Sequence, residues 1–200
     1  DRDALRALMR EDVSLLIPPH TAVAFLADPG VYRTAFPFMQ TEGGRDARLQ
    51  WRYTEKYSQT HLDDYAASGR FPDETTDVFV TDGEKREIRP FLYRAFRYLA
   101  IRVQTADEPL LLNRFAYCRT GYPLTVTGKY EADEPAYAGM WKVGLNTLEC
   151  CMYETYMDCP YYEQMQYTMD TVLQMAYSFQ VSSDDRLARK AIDDFARAQL

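Results

Sequence analysis

Nothing in this chain is hydrophobic for long. No apolar run approaches the ~20 residues that a membrane-spanning helix requires, so no membrane span is expected. Basic residues are outnumbered: 23 lysines and arginines face 30 aspartates and glutamates, for a net charge of −7 and a pI near 4.9. Gripping a nucleic-acid backbone needs the opposite balance, so nucleic acid is excluded as a partner. The acidity points to no function by itself; a solvated surface accounts for it. Histidine is scarce. Neither His20 nor His61 lies near a recognisable partner element, which leaves a cysteine nucleophile unsupported. The four cysteines, Cys118, Cys150, Cys151 and Cys159, match no zinc-ligand spacing, so no metal is expected. An adjacent pair on a helix does not readily bridge to itself. The four read as small buried apolar thiols, with Cys159 packed beneath its own loop. Residues 1–12 alternate charge with leucine and alanine and lack the apolar stretch of a signal peptide; a short helix fits them better. Internal repeats and low-complexity stretches are absent. A chain that opens on Asp and stops inside a helical pattern reads as a piece of something longer.

What is present suffices for a packed core: 46% of the 200 residues are hydrophobic and 26% charged. The character changes near residue 130. Residues 1–130 are read as a β-sandwich domain and 131–200 as a separate helical one. Val13–Ile17 and Thr21–Leu26 are short apolar strands split by Pro18-Pro19. Over residues 48–57, Leu49, Trp51 and Tyr53 alternate with Arg48, Gln50 and Arg52, the mark of a half-buried strand. Asp77–Val80 leads into Asp82-Gly83, a hairpin-type turn, and Phe91–Val103 reads as one long strand. Short strands with turns between them predict an antiparallel sandwich. After Asp133-Glu134-Pro135 the period becomes helical. Trp141, Leu145, Leu148 and Met152 form one stripe; Met165, Met169, Val172, Ala176 and Phe179 form a second. Ser183-Asp184-Asp185 opens a third helix, with Leu187, Ala191, Phe195 and Ala198 on its apolar side. Short connections are expected between these helices.

Residues 158–170, Asp-Cys-Pro-Tyr-Tyr-Glu-Gln-Met-Gln-Tyr-Thr-Met-Asp, set Asp158, Glu163 and Asp170 among tyrosines and methionines. The pattern predicts a loop turning directly into a helix that carries Glu163 and Asp170 two turns apart on one face. Two carboxylates aimed into an aromatic pocket are what sugar hydrolysis requires. The plainer alternative is that Asp158 caps the helix and Glu163 complements its dipole.

Glu154-Thr155-Tyr156-Met157-Asp158-Cys159-Pro160-Tyr161-Tyr162-Glu163-Gln164 resembles the signature of the α-L-rhamnosidases of glycoside hydrolase family 78, in its Tyr-Glu-Gln variant. Upstream, Arg94-Ala95-Phe96-Arg97-Tyr98 is similar to that family's Arg-x-Phe-Arg-Tyr strand. Glu42-Gly43-Gly44, then Tyr53-Thr54-Glu55, then Asp77 to Gly83 resemble its sandwich elements, in family order.

The resemblance implies a bacterial six-hairpin glycosidase: an antiparallel β-sandwich followed by the first helices of an (α/α)6 toroid. It implies an inverting hydrolase of terminal α-L-rhamnose, or a similar sugar, on a glycoside or polysaccharide, with no cofactor. Glu163 would be the general acid. Asp158 and Asp170 would bind sugar hydroxyls by charge-assisted hydrogen bonds, and Tyr167 would offer a ring to the methyl-bearing face of a 6-deoxy sugar. Tyr167 as plain core stands as the alternative. Tyr161, Tyr162 and Trp141 could line the same pocket. Arg94 and Arg97 are read as partners of sandwich acids more readily than of substrate. The chain departs from the family at Met169, where a glycine usually precedes the second Asp, and this puts specificity in question. The family's general base comes from a later barrel helix, beyond Leu200, so these 200 residues alone are expected to bind sugar weakly and hydrolyse nothing. An open barrel edge should leave a large apolar patch prone to association between copies. The compartment, bacterial cytoplasm or periplasm, is left open, and a non-catalytic carbohydrate-binding relative is the alternative function.

Overall fold

Leu49, Trp51 and Tyr53 are completely buried, as their alternation predicts for a strand with one face on a core. The computed structural model describes residues 8–9, 14–56 and 75–198. The short helix expected over residues 1–12 falls mostly outside them, as does His61. The chain divides into two units, Asp1–Arg119 and Thr120–Leu200. Strands fill the first: β1 (Leu15–Ile17), β2 (Ala22–Ala27), β3 (Arg33–Gly43), β4 (Arg48–Thr54), β5 (Thr76–Val80), β6 (Gly83–Ile88), β7 (Arg94–Phe96), β8 (Tyr98–Gln104) and β9 (Leu110–Arg119). The second holds α1 (Pro135–Cys150), α2 (Thr168–Val181) and α3 (Arg186–Arg197).

The strands form two antiparallel sheets, ordered β1-β9-β3-β6 and β2-β8-β4-β5, with β7 also paired to β3. Strands β7 and β6 follow one another on β3, at Arg33–Ala35 and Met39–Gly43. The sheets meet through their aromatic rings. Trp51 of β4 lies 6.2 Å from Phe115 of β9, and Tyr53 lies 5.7 Å from Phe96 of β7, centroid to centroid. The result is a β-sandwich, as the strand pattern predicts. Arg52 is the exception to the alternation in β4, being buried as well.

Two sequence expectations fail in an instructive way. Asp82-Gly83 does not close a hairpin: β5 and β6 lie in different sheets, and the turn carries the chain across the sandwich. Thr81 fixes that crossing. Its N–H donates to the Ala47 carbonyl at 3.0 Å and its hydroxyl to the Gly44 carbonyl. Nor is Phe91–Val103 one strand. It breaks at Arg97, whose N–H turns to the Thr54 carbonyl at 3.0 Å, so β7 and β8 also join different sheets. Gly44 holds a left-handed φ of +62°, and a Cβ there would come within 2.6 Å of the Leu110 Cβ. Only glycine fits such an approach.

In the second unit the segment after Arg119 is irregular and bonded to the helices. The Tyr122 N–H donates to the Met152 carbonyl at 2.8 Å, and those of Thr127 and Gly128 to the Val181 carbonyl at 2.8 and 2.9 Å. Helix α1 opens with proline in its first turn, where the missing N–H costs nothing. Leu148 and Met152 are buried with Tyr156, Val181, Leu187, Ala188 and Ala191, and Trp141 and Leu145 pack against them. The first apolar stripe therefore faces the core as expected, although Met152 lies beyond the helix end. On α3, Leu187 and Ala191 are buried, Phe195 is half-buried and Ala198 is exposed.

The second stripe does the reverse. Met169, Val172 and Phe179 are 69%, 55% and 49% exposed. Helix α2 buries Thr171, Ser178 and Val181 instead. Its buried side is narrow enough for the Tyr156 hydroxyl to lie 2.9 Å from the Ser178 hydroxyl. Helix α2 thus leaves apolar side chains exposed.

Candidate active site

The motif segment sits in the connection between α1 and α2, over residues 151–167, which is longer than the short link expected. A reversal shapes its start. Met152 bridges Tyr156, and the Met157 N–H donates to the Cys151 carbonyl at 2.8 Å. Asp158 then closes a loop. Its N–H donates to the Met165 carbonyl, and the Met165 N–H donates to the Asp158 Oδ1, both at 2.9 Å. Gln164, at a left-handed φ of +55°, makes the turn inside that clasp, and its N–H donates to the Cys159 carbonyl at 3.1 Å. Pro160 is buried, and the Glu163 N–H donates to the Cys159 Sγ at 3.3 Å. The thiol therefore does pack against the loop around it.

Helix α2 begins only at Thr168. Glu163 consequently lies in a turn before the helix, and the helical repeat does not set its distance to Asp170. The physical reason is the clasp: Asp158 and Met165 use each other's backbone and carboxyl groups, which holds residues 158–165 out of helical geometry. Asp158 does not cap α2 either. The capping position is Tyr167, without a side-chain cap. Asp170, expected in mid-helix, stands in the first turn, where a carboxylate complements the helix dipole.

Two of the side chains nonetheless meet. The Tyr167 hydroxyl donates to Glu163 Oε2 at 2.8 Å. That bond, the negative charge of Glu163, slight burial and the further charges of Asp158 and Asp170 all raise the Tyr167 phenol above its ordinary range. One hydroxyl thus feels all three carboxylates of the motif. Burial works against the charged form of Asp158. The N–H groups of Met165 and Cys159, the Cys159 thiol and the Glu163 side chain outweigh it, and the carboxyl is held below the usual range. Asp158 and Asp170 are half-buried, whereas Glu163 and Tyr167 are exposed.

Other candidates divide. Tyr161 and Tyr162 pack edge to face on each other, 4.6 Å apart, with Tyr162 exposed. Trp141 stacks on Tyr130 at 5.3 Å. It also lines a cavity of about 520 Å³ between α1 and α2, with Met140, Leu148, Tyr177, Val181 and Asp158. That cavity reaches Asp158 but none of Glu163, Tyr167 and Asp170. Its mainly apolar wall offers a sugar's hydroxyls few partners, so the carboxylate cluster, and not the cavity, is the candidate site. Sequence reasoning missed Gln174, whose side-chain N–H donates to the Met157 carbonyl at 2.6 Å and ties α2 to the motif. A glutamine on a helix carries no signal of such a tether.

In the sandwich, Arg94 grips Asp77 with two N–H groups, at 3.0 and 2.6 Å, and the Tyr53 hydroxyl donates to the same carboxylate at 2.9 Å. Arg97 pairs with Asp28. Both arginines serve sandwich acids. Cys118 is exposed, contrary to expectation, while Cys150 and Cys151 are buried. Burial and neighbouring thiols push the Cys151 thiol up to about 12. Among the described residues no group of His, Cys, Asp and Glu could hold a metal ion, and no helix is long and apolar enough to cross a membrane.

No protein-family model and no curated protein matches the chain. Solved structures do. The chain has a rhamnosidase-like fold, and it spans between 20% and 37% of the length of the three rhamnosidases it superposes on. The family 78 rhamnosidase of Bacillus sp. GL1 superposes with a TM-score of 0.82 at 19% identity, over 96% of this chain and 20% of that one. A rhamnosidase from Klebsiella oxytoca, solved with rhamnose bound, gives 0.69 at 19% identity, over 94% and 37%. The α-L-rhamnosidase of Dictyoglumus thermophilum gives 0.67 at 16% identity, over 93% and 22%. The family resemblance read from the motifs is therefore matched by the fold.

Proposed function

We propose that this chain is the acid-bearing part of an inverting glycoside hydrolase that removes terminal α-L-rhamnose, or a similar sugar, from a glycoside or polysaccharide. One observation carries the reading: the Tyr167 hydroxyl donates to Glu163 Oε2 in the motif segment, within the influence of the Asp158 and Asp170 charges, in a fold shared with rhamnosidases. Glu163 is the general acid. It is exposed, as a group that must reach a glycosidic oxygen has to be, and its backbone is fixed on the Cys159 sulfur. Asp158 and Asp170 accept hydrogen bonds from sugar hydroxyls and favour the positive charge that builds on the ring carbon. Tyr167 is exposed enough to present its ring to the sugar's methyl face. The general base stands across the sugar, about 6.5–9.5 Å from the acid in an inverting enzyme, and comes from sequence beyond Leu200.

The three helices are, on this reading, the start of an (α/α)6 toroid. The exposed apolar side of α2 is where further helices or a second copy would pack. The substrate class is tested on the full-length protein with a panel of aryl glycosides, the product anomer followed by NMR. Release of β-L-rhamnose from α-L-rhamnosides is expected. Retention of configuration, or hydrolysis of no deoxy sugar or pentose, would refute the proposal, and sugar binding without turnover would indicate a carbohydrate-binding relative.

A further inference from the structure

We infer that Tyr167 is a positioning residue for Glu163, acting through its hydroxyl in addition to its ring. The inference rests on the reading of Glu163 as the general acid. The Tyr167 hydroxyl donates to Glu163 Oε2 at 2.8 Å. Its own backbone is anchored at the start of α2, where the Tyr167 carbonyl accepts the Thr171 N–H at 2.9 Å. The Glu163 backbone is tethered on the Cys159 sulfur and its side chain also acts on Asp158. The phenol narrows the rotamers open to that exposed side chain. Neighbouring carboxylates keep that phenol protonated, hence a donor, through the neutral range.

A general acid must face the glycosidic oxygen to act, and removing the donor takes that orientation away.

The decisive variant is Tyr167→Phe in the full-length protein, because it deletes the hydroxyl and keeps the ring. A residue that orients the acid in the transition state should lower kcat about tenfold or more and leave KM within about twofold. Tyr167→Leu, which also removes the ring, should raise KM in addition only if the ring touches sugar. A Phe variant with wild-type kcat would overturn the inference. The Glu163 carboxyl carbon, followed by 13C NMR, gives a readout independent of turnover. Its resonance at neutral pH should shift in Tyr167→Phe relative to wild type, and coincident resonances would refute the hydrogen bond. The reading of Glu163 fails separately: Glu163→Gln would then be fully active on every substrate, whatever Tyr167→Phe does.

Discussion

Alanine at Gly44 should cost the sandwich about twice what it costs at a superficially similar glycine. Forcing an L side chain into the left-handed region costs about 1–2 kcal/mol, and Gly44 sits there at φ +62°. The new Cβ would lie 2.6 Å from the Leu110 Cβ and 2.7 Å from its Cδ1. Leu110 is completely buried and cannot swing into solvent. Overpacking of that kind adds about 1–3 kcal/mol, for a total of about 2–5 kcal/mol. Gly30 supplies the control. It has φ +86° but nothing within 4 Å of the place a Cβ would take. Gly30→Ala should therefore carry the backbone cost alone, about 1–2 kcal/mol. The chain has two tryptophans, Trp51 in the sandwich and Trp141 on α1. In a Trp141→Phe background, guanidinium unfolding followed by Trp51 fluorescence reports the sandwich, and equal slopes license comparison of the midpoints. If Gly44→Ala came within about 0.5 kcal/mol of Gly30→Ala, well below the expected overpacking term, the turn would not be pressed on Leu110 as described.

Two further predictions concern the motif and the thiols. Asp158 is held below the usual carboxylate range, so its support of the 158–165 loop is complete above about pH 4 and fades as pH falls through the lower folded value. Hydrogen-exchange protection of the Met165 amide should follow that loss, and Asp158→Ala should remove it at neutral pH; equal protection in both proteins would contradict the clasp. Iodoacetamide should alkylate exposed Cys118 first and reach Cys150 and Cys151 only on unfolding, since burial both blocks Cys151 and suppresses its thiolate. Mass spectrometry showing Cys151 modified as fast as Cys118 would contradict that order.

The legible parts of the chain are those where one period governs many residues. Strand β4 and the stripe on α1 could be read because burial follows simple alternation and the helical repeat there. Strands β3 and β9 were not read: β3 carries Pro37 in mid-strand, normally a mark against one. The crossings at Thr81 and Arg97 depend on partners distant in sequence, Gly44 and Thr54, which no local pattern announces. Helix α2 misled for another reason. Its apolar side is the exposed one, and a hydrophobic stripe tells only that something apolar should cover it. The candidate site residues follow from motif resemblance, whereas their geometry does not. The run Tyr162 to Tyr167 could be helical on pattern alone; the Asp158–Met165 clasp and the left-handed Gln164 keep it from being so.

The central claim is that Glu163 protonates a leaving glycosidic oxygen, and leaving-group dependence tests it most directly. The full-length protein and its Glu163→Gln variant should be compared on p-nitrophenyl and methyl α-L-rhamnopyranosides. A nitrophenolate departs with little protonic help, whereas methoxide scarcely departs without it. The account predicts a far larger loss on the methyl glycoside than on the nitrophenyl one. An equal loss on both, or none on either, would contradict it.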